Sequence, residues 1–253
     1  MFRRILIFGY GVACYAIFFA TFLYALGFVG DFIVPVTLDG APRLASGPAL
    51  VIDVALLALF ALQHSLMARP FFKRWLTRFI PASAERSTYV LFSSLALIVL
   101  FAFWQPLGGV VWDVNDALWG TVLYSLFAFG WLLVLVATFL INHFDLFGLR
   151  QVWLQLLGKP YQPLRFGTPG PYKLVRHPLY VGWLFAFWAT PTMTGTHLLF
   201  AFMTTAYILV AIQLEERDLV DTLGEDYRRY RERVPMLVPA IRRTRRTASI
   251  IER

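Results

Sequence analysis

Charged residues are scarce in this chain: only 15% of its 253 residues are Asp, Glu, Lys or Arg, whereas 58% are hydrophobic. This composition excludes an ordinary water-soluble globular domain and indicates an integral membrane protein. The single cysteine, Cys14, excludes a disulfide within the chain. Because neither an internal repeat nor a low-complexity segment is found, we interpret residues 1–253 as one domain.

A nucleic-acid-binding module is also absent, although the net charge is +8. The basic residues border apolar segments instead, which favours membrane lipids with anionic head groups as partners. Near the C-terminus, four arginines form either a cytoplasmic polybasic segment or a solvated end: Arg242, Arg243, Arg245 and Arg246.

Apolar runs long enough for a hydrocarbon layer of about 30 Å recur along the chain. Six segments are predicted: residues 5–28, 48–67, 89–104, 118–141, 179–190 and 197–214. The fifth is short for a full crossing and is followed by a tight turn at residues 191–195, so the last two segments predict a helical hairpin. The expected fold is all-α, a polytopic membrane helix bundle with five to six membrane segments.

Lys and Arg are absent from residues 105–117 but frequent after the second and fourth apolar segments. Short cytoplasmic loops of membrane proteins carry the positive excess, which predicts that both termini face the cytoplasm. The first apolar run is too long for a typical signal peptide, and more segments follow it. We therefore interpret this run as an uncleaved membrane anchor.

Polar residues directly precede the fifth segment. Pro178 suits the first turn of a helix because it has no N–H to satisfy there, so Arg176 and His177 lie at a positive helix end that could bind a carboxylate or another anion. Tyr180 can donate a hydrogen bond nearby, and Gly182 can let a ligand approach the backbone. The alternative interpretation is a basic anchor that only fixes topology at the membrane edge.

Two acidic residues, Glu215 and Glu216, end the sixth segment. The hairpin would bring them beside Arg176 and His177, so that acidic and basic side chains share one pocket. An interfacial ion pair without a ligand is the alternative.

Apolar residues then recur at helical spacing, with charged residues between them: Leu219, Leu223, Tyr227 and Tyr230. This pattern predicts an amphipathic helix on the membrane surface or over the pocket mouth. The alternative is a simple surface anchor.

A third polar cluster combines His64, at the end of the second segment, with His143 and Asp145, at the end of the fourth. These residues could bind a metal or haem, orient a substrate, or pack with satisfied hydrogen bonds. Because no close ligand spacing supports a metal, no metal site is predicted.

The order of these motifs resembles the isoprenylcysteine carboxyl methyltransferase superfamily of membrane enzymes. The resemblance rests on Gly170-Pro171-Tyr172, Arg176-His177-Pro178-Leu179-Tyr180-Val181-Gly182, Glu215-Glu216, Gly224-Glu225-Asp226-Tyr227-Arg228-Arg229-Tyr230 and Val234-Pro235. Over nearly its whole length, the chain looks like the bacterial methanethiol S-methyltransferase family within it. The further matching motifs are Gln63-His64-Ser65, Glu85-Arg86-Ser87-Thr88-Tyr89 and residues 142–151. The superfamily often has Phe at the position of Leu223, so the resemblance implies a different side chain in the wall of the substrate pocket.

The resemblance implies an enzyme of the bacterial inner membrane that uses S-adenosylmethionine to methylate methanethiol, giving dimethyl sulfide. Residues 178–240 would then form the cofactor-binding hairpin and tail. The expected cofactor-binding residues are Tyr172, Arg176, His177, Pro178, Tyr180, Gly182, Glu215, Glu216, Tyr227 and Tyr230. The carboxylate end of the cofactor would be bound by Arg176, His177 and Tyr180. Its amino group or ribose would be bound by Glu216, or by Glu215 as the alternative. The three other tyrosines would enclose the adenine.

A thiol with a pKa of roughly 8.5 or above is mostly protonated at neutral pH, so a base or a stabilising cation would assist its attack. His64, His143 and Asp145 are the candidate bases, and Arg150 is a candidate stabiliser. Other functions remain open from the residues: methylation of a larger lipid or prenylcysteine, a nonenzymatic haem-binding or transport protein, and a structural remnant of a methyltransferase.

Overall fold

Long apolar helices dominate the computed structural model, which describes residues 1–239. Five helices in this part of the chain are long and apolar enough to cross a membrane: α1 (Phe2–Gly30), α2 (Ser46–Ala68), α4 (Glu85–Phe103), α5 (Ala117–Ile141) and α9 (Gly195–Leu223). The predicted all-α polytopic bundle is confirmed. The four C-terminal arginines, predicted as a polybasic segment, lie outside the described residues.

The fifth apolar segment is short, as predicted. It forms α8 (Pro178–Trp188), whose 11 residues rise about 16 Å, roughly half the thickness of the hydrocarbon layer. Pro178 occupies the first helical position. The chain then turns back into α9, which completes the predicted hairpin.

The predicted amphipathic helix is not one helix. Helix α9 continues past the apolar segment to Leu223, Gly224 then adopts a φ of 59°, and α10 (Glu225–Arg233) begins. Leu219 and Leu223 therefore belong to α9, whereas the two tyrosines that follow belong to α10. The boundary at residue 214 was wrong because a helix does not have to end where its apolar residues end.

Short elements connect the long helices at both ends of the bundle. One end, here named the basic end, contains α3 (Pro70–Leu76), α6 (His143–Leu146), α7 (Leu149–Leu157) and 3-10 helices at Ala82–Ala84 and Gly170–Lys173. Arg69, Arg86, Arg150 and Arg176 lie at this end.

The opposite end, here named the sheet end, has an antiparallel pair of strands, β1 (Val110–Asp113) and β2 (Thr192–Thr194). Strand β2 lies within the turn predicted between the last two segments. Sequence reasoning missed both strands because each is only three or four residues long.

Hydrogen bonds of a buried histidine close the sheet end of the hairpin. Nδ1 of His197, near the start of α9, lies 2.8 Å from Oδ2 of Asp39, and Nε2 lies 2.9 Å from the carbonyl oxygen of Phe187 in α8. The Asp39 carboxylate also accepts a hydrogen bond from Thr194. The loop between α1 and α2 is thereby attached to both helices of the hairpin.

We expect His197→Ala to lower the free energy of unfolding by about 1–3 kcal/mol, because it leaves the Phe187 carbonyl and Asp39 without this partner. Thermal unfolding in detergent would measure the change. Asn115→Ala, an exposed position at the same end, is the control and should change stability little. Equal melting temperatures for His197→Ala and the control would contradict the expectation.

Helices α5 and α8 approach each other closely at two glycines. A Cβ atom on Gly182 would lie 2.8 Å from the carbonyl oxygen of Gly130 and 2.9 Å from the backbone nitrogen of Val134. A Cβ atom on Gly130 would lie 2.7 Å from the carbonyl oxygen of Gly182. The expectation that Gly182 leaves room for a ligand is corrected: its missing side chain makes room for another helix backbone.

Candidate functional site

A buried carboxylate at the basic end joins the two helices of the hairpin. Oε1 of Glu216 accepts hydrogen bonds from Nε of Arg176 at 2.7 Å and from Nε2 of His177 at 3.0 Å. The side chains of Arg176 and Glu216 are only 11% and 7% exposed, and that of His177 is 5% exposed. The acidic and basic residues that the sequence places at the ends of the hairpin therefore meet directly.

The segment that follows α10 completes this cluster. Nη1 of Arg176 donates to the carbonyl oxygens of Arg231 at 3.0 Å and Val234 at 2.6 Å. The backbone N–H of Arg176 donates to the carbonyl oxygen of Pro235 at 2.8 Å, and that of His177 to Met236 at 3.2 Å. Arg176 thus anchors the chain after α10 as well as Glu216.

The adjacent glutamate lies in a different environment. Glu215 is partly exposed, and its Oε2 accepts a hydrogen bond from the Tyr180 hydroxyl at 3.0 Å. Consecutive residues of a helix point about 100° apart, so one carboxylate reaches the interior ion pair and the next a separate polar surface. Glu216 is thus paired with Arg176 and His177, whereas Glu215 is hydrogen-bonded to the hydroxyl of Tyr180.

Aromatic residues cover the same end of the bundle. The Tyr230 hydroxyl donates to the carbonyl oxygen of Tyr172 at 2.6 Å, and the Phe166 ring lies 6.0 Å from the Tyr227 ring and 5.6 Å from the Tyr230 ring. Burial raises the pKa of Tyr230 to about 12 and also raises the pKa values of Tyr172 and Tyr227. These phenols stay protonated and can donate hydrogen bonds.

The third predicted cluster is divided between separate environments. His143 is buried, with Nδ1 2.8 Å from Oγ1 of Thr138 and Nε2 2.8 Å from the Tyr15 hydroxyl. Burial lowers its pKa, and no neighbouring charge contributes to this shift. Asp145 lies in an ion pair with Arg150 at 2.8 Å and accepts a hydrogen bond from the Tyr161 hydroxyl at 3.2 Å.

His64 interacts with residues of α4 instead. Its Nε2 lies 2.8 Å from the hydroxyl of Tyr89, and its Nδ1 lies 3.1 Å from Oγ of Ser93. On the same turn of α2, Oγ of Ser65 lies 3.2 Å from the hydroxyl of Tyr207. Sequence reasoning gave no role to Tyr207, and no local signal marks it, because its partner is 142 residues away.

An open cavity of 420 Å³ lies at the basic end of α5. Residues 139–144 line one side, and Leu164 and Arg165 line the other. The next residue, Phe166, packs on the tyrosines of α10, so the same loop borders both the cavity and the aromatic cluster. Within residues 1–239, no group of three or more His, Cys, Asp or Glu side chains could hold a metal ion.

Comparison with known proteins identifies the family. The chain is 58% identical over 232 residues to the methanethiol S-methyltransferase of Crocosphaera subtropica, covering 92% of this chain and 91% of that protein. It is 53% identical over 237 residues to the methanethiol S-methyltransferase of Mycobacterium tuberculosis, covering 94% and 97%. The chain belongs to the methanethiol S-methyltransferase family. No family model matches it, and no solved structure matches it significantly.

A more distant relative extends the similarity beyond bacteria. The chain is 35% identical over 179 residues to the nurim protein of Bos taurus, covering 67% of this chain and 68% of that protein. Membership of the methanethiol S-methyltransferase family makes the chain a membrane methyltransferase. The comparisons do not favour the haem-binding, transport or lipid-methylating alternatives.

For this member of the methanethiol S-methyltransferase family, the structure brings together most of the residues expected to bind a cofactor. Pro178, buried at the start of α8, lies next to His177, and the two glutamates lie beside them. The exception is Gly182, which faces α5. Among the expected catalytic residues, Asp145 and Arg150 contact each other, whereas the two histidines have separate hydrogen-bond partners.

Proposed function

We propose that this protein transfers a methyl group from S-adenosylmethionine to the sulfur of methanethiol, giving dimethyl sulfide. The observation that carries the proposal is the buried cluster of Arg176, His177 and Glu216 beside the more accessible Glu215. Ionised groups are expensive to keep in a membrane interior and are typically functional there. Relatives that are 58% and 53% identical are named for the same reaction.

The chemistry of the cluster fits the cofactor. S-adenosylmethionine has a carboxylate, an ammonium, ribose hydroxyls, an adenine and a positively charged sulfur. Glu215 can accept hydrogen bonds from the ammonium or the ribose, and the Tyr180 hydroxyl holds it in place. The phenol groups and rings around Tyr230 suit the adenine.

The cofactor carboxylate would bind to backbone N–H groups at the start of α8 as well as to Arg176. Arg176 already forms an ion pair with Glu216, and His177 is hydrogen-bonded to the same carboxylate oxygen, so both are less available to a second carboxylate. The first turn of a helix has backbone N–H groups without helical partners and a positive dipole end. We propose that these groups bind the carboxylate together with Arg176, and that Glu216 keeps the arginine in position.

The cofactor supplies an electrophilic methyl group when it is bound. The residues of the chain then have to hold the thiol in line with that methyl group, exclude water and accept the thiol proton. Methanethiol is small and apolar and offers few groups for recognition, so selectivity would come from a small, dry pocket that excludes larger substrates.

Location and orientation are part of the proposal. Basic residues cluster at the end of the bundle that carries the candidate site, which supports placing this end and both termini in the cytoplasm and the protein in a bacterial inner membrane. Anionic lipids would then contact the basic end, and residues 1–253 would form one domain, with 178–240 as the cofactor-binding part.

A direct assay tests the proposed function. The purified protein in lipid nanodiscs would be given methanethiol and S-adenosylmethionine, and dimethyl sulfide would be measured in the headspace by gas chromatography. We expect dimethyl sulfide and S-adenosylhomocysteine in equal amounts, and neither product when either substrate is left out. Binding of S-adenosylmethionine without formation of dimethyl sulfide would rule out methanethiol as the acceptor.

A further inference from the structure

Three groups could accept the thiol proton, and the structure distinguishes them by their surroundings. The first is His143. Oγ1 of Thr138 donates to the carbonyl oxygen of Leu135 at 2.7 Å, so it accepts a hydrogen bond from Nδ1–H of His143. Nε2 then accepts from the Tyr15 hydroxyl. Both ring nitrogens have hydrogen-bond partners within a shell of aromatic rings, and these partners lie on α5 and α1.

The second group is Asp145. One carboxylate oxygen accepts from Arg150 and the other from Tyr161, and the Arg150 side chain also donates to the carbonyl oxygen of Gln162. These contacts attach the chain after α7 to the turn after α5. Asp145 and Arg150 therefore stabilise a connection at the basic end.

The third group is the pair formed by His64 and Tyr89. The Tyr89 side chain is buried, and its hydroxyl lies 2.8 Å from Nε2 of His64. The Phe60 ring stacks on His64 at 5.2 Å and also lies 6.3 Å from the Tyr207 ring. One polar pair is therefore enclosed by apolar surfaces of the kind that a small thiol would occupy.

This pair is close to the proposed cofactor site. The end of α2 that carries His64 is attached to α9 on both sides of Glu215: Oγ of Ser65 lies 3.2 Å from the Tyr207 hydroxyl, and Nη1 of Arg69 lies 2.9 Å from Oδ2 of Asp218. The hydrogen bonds of His143 instead join α6 to Tyr15 of α1 and Thr138 of α5. Among the three candidates, the His64 pair is the one whose helix is attached to the helix that carries Glu215.

Building on the proposed function, we infer that Tyr89 and His64 accept the thiol proton during methyl transfer, with the Tyr89 hydroxyl in contact with the thiol. Ser93 orients the ring by accepting a hydrogen bond from Nδ1–H, which leaves the lone pair on Nε2. The thiol proton passes to the Tyr89 oxygen while the Tyr89 proton passes to Nε2 of His64.

The electron balance is that of a single displacement. The sulfur of methanethiol forms the new bond to carbon with one of its electron pairs, and the pair of the broken carbon–sulfur bond stays on the departing sulfur. The thiol proton becomes more acidic as its sulfur donates electrons, so a neutral imidazole is sufficient to accept it. His64 leaves the reaction with one additional proton, which it returns to water afterwards.

The test compares two acceptors of nearly equal size. Methaneselenol is more acidic than methanethiol, so it is already ionised at neutral pH and does not require a base. We expect His64→Gln to lower kcat/KM for methanethiol by about 100-fold, the usual contribution of a general base, and to lower it much less for methaneselenol. Tyr89→Phe should give the same pattern, because it removes the hydroxyl that contacts the thiol.

Two further measurements separate this role from a structural one. Calorimetric binding of S-adenosylmethionine should be unchanged in both variants. In His64→Gln, kcat/KM for methanethiol should rise steadily with pH as the free thiolate becomes more abundant. If His64→Gln fails to fold, Tyr89→Phe decides by the same criteria.

Equal losses for the two acceptors would overturn the inference, as would full activity of either variant. The same would follow if His143→Gln, and not His64→Gln, gave a loss confined to methanethiol. These outcomes leave the proposed function intact, whereas a wild-type protein that methylates neither acceptor would refute the proposed function itself.

Discussion

Replacing Glu216 by alanine is expected to lower the free energy of unfolding by about 3–5 kcal/mol, because Arg176 and His177 would lose the carboxylate that compensates them in a buried site. The affinity for S-adenosylmethionine should fall as well, since Arg176 would no longer be held in place. Chemical unfolding in mixed micelles would measure the first effect, and calorimetry at a temperature where the variant is folded would measure the second.

Glu225 offers a matched control. It forms an ion pair with Arg228 one turn away in α10, but both side chains are more than half exposed. Glu225→Ala should therefore cost about 0.5 kcal/mol or less. If both variants were equally stable, the buried cluster would not contribute to the fold, and if Glu216→Ala bound the cofactor normally, Glu216 would not position Arg176.

Replacing Gly182 by alanine is expected to lower the free energy of unfolding by about 1–3 kcal/mol. The new Cβ would meet backbone atoms of Gly130 and Val134 at less than 3 Å, and a backbone cannot move away as the end of a flexible side chain can. Helices α5 and α8 would have to separate. Activity should decrease too, because Arg176 and His177 directly precede α8 and would move with its start.

The control for this substitution lies in α5. A Cβ atom on Gly120 would have no atom within 4 Å, so Gly120→Ala should gain the higher helix propensity of alanine and stabilise the protein by up to about 1 kcal/mol. The two glycine substitutions are thus expected to have opposite signs. Stabilisation by Gly182→Ala in thermal unfolding would show that α5 and α8 are not in close contact.

Composition and spacing were sufficient to predict the bundle. Long apolar runs predict α1, α2, α4, α5 and α9 because each run has to span the same hydrocarbon layer. The short fifth run, together with the polar residues at each end of the hairpin, also predicts that Glu216 meets Arg176 and His177. The sequence is informative here because the contacts follow from one local connection, the turn between two helices.

Contacts between distant segments were not predictable in the same way. Tyr89 and Tyr207 reach α2 from two other helices, and Gly182 reaches Gly130 from a helix that is separated from it by three short elements. Such contacts depend on how the long helices are rotated and ordered around the bundle. The apolar composition of a membrane helix does not determine its rotation, because apolar residues face both lipid and protein.

The length of α8 has a consequence for how the two proposed substrates meet. A helix that rises about 16 Å beside helices that cross the whole layer has to begin or end below the surface of the bilayer. If the start of α8 is the end that lies within the layer, water and hydrocarbon meet beside Arg176 and His177 rather than at the head-group plane. A volatile thiol dissolved in oil and a charged nucleoside confined to the aqueous phase could each arrive at that point through its own solvent, without crossing the other.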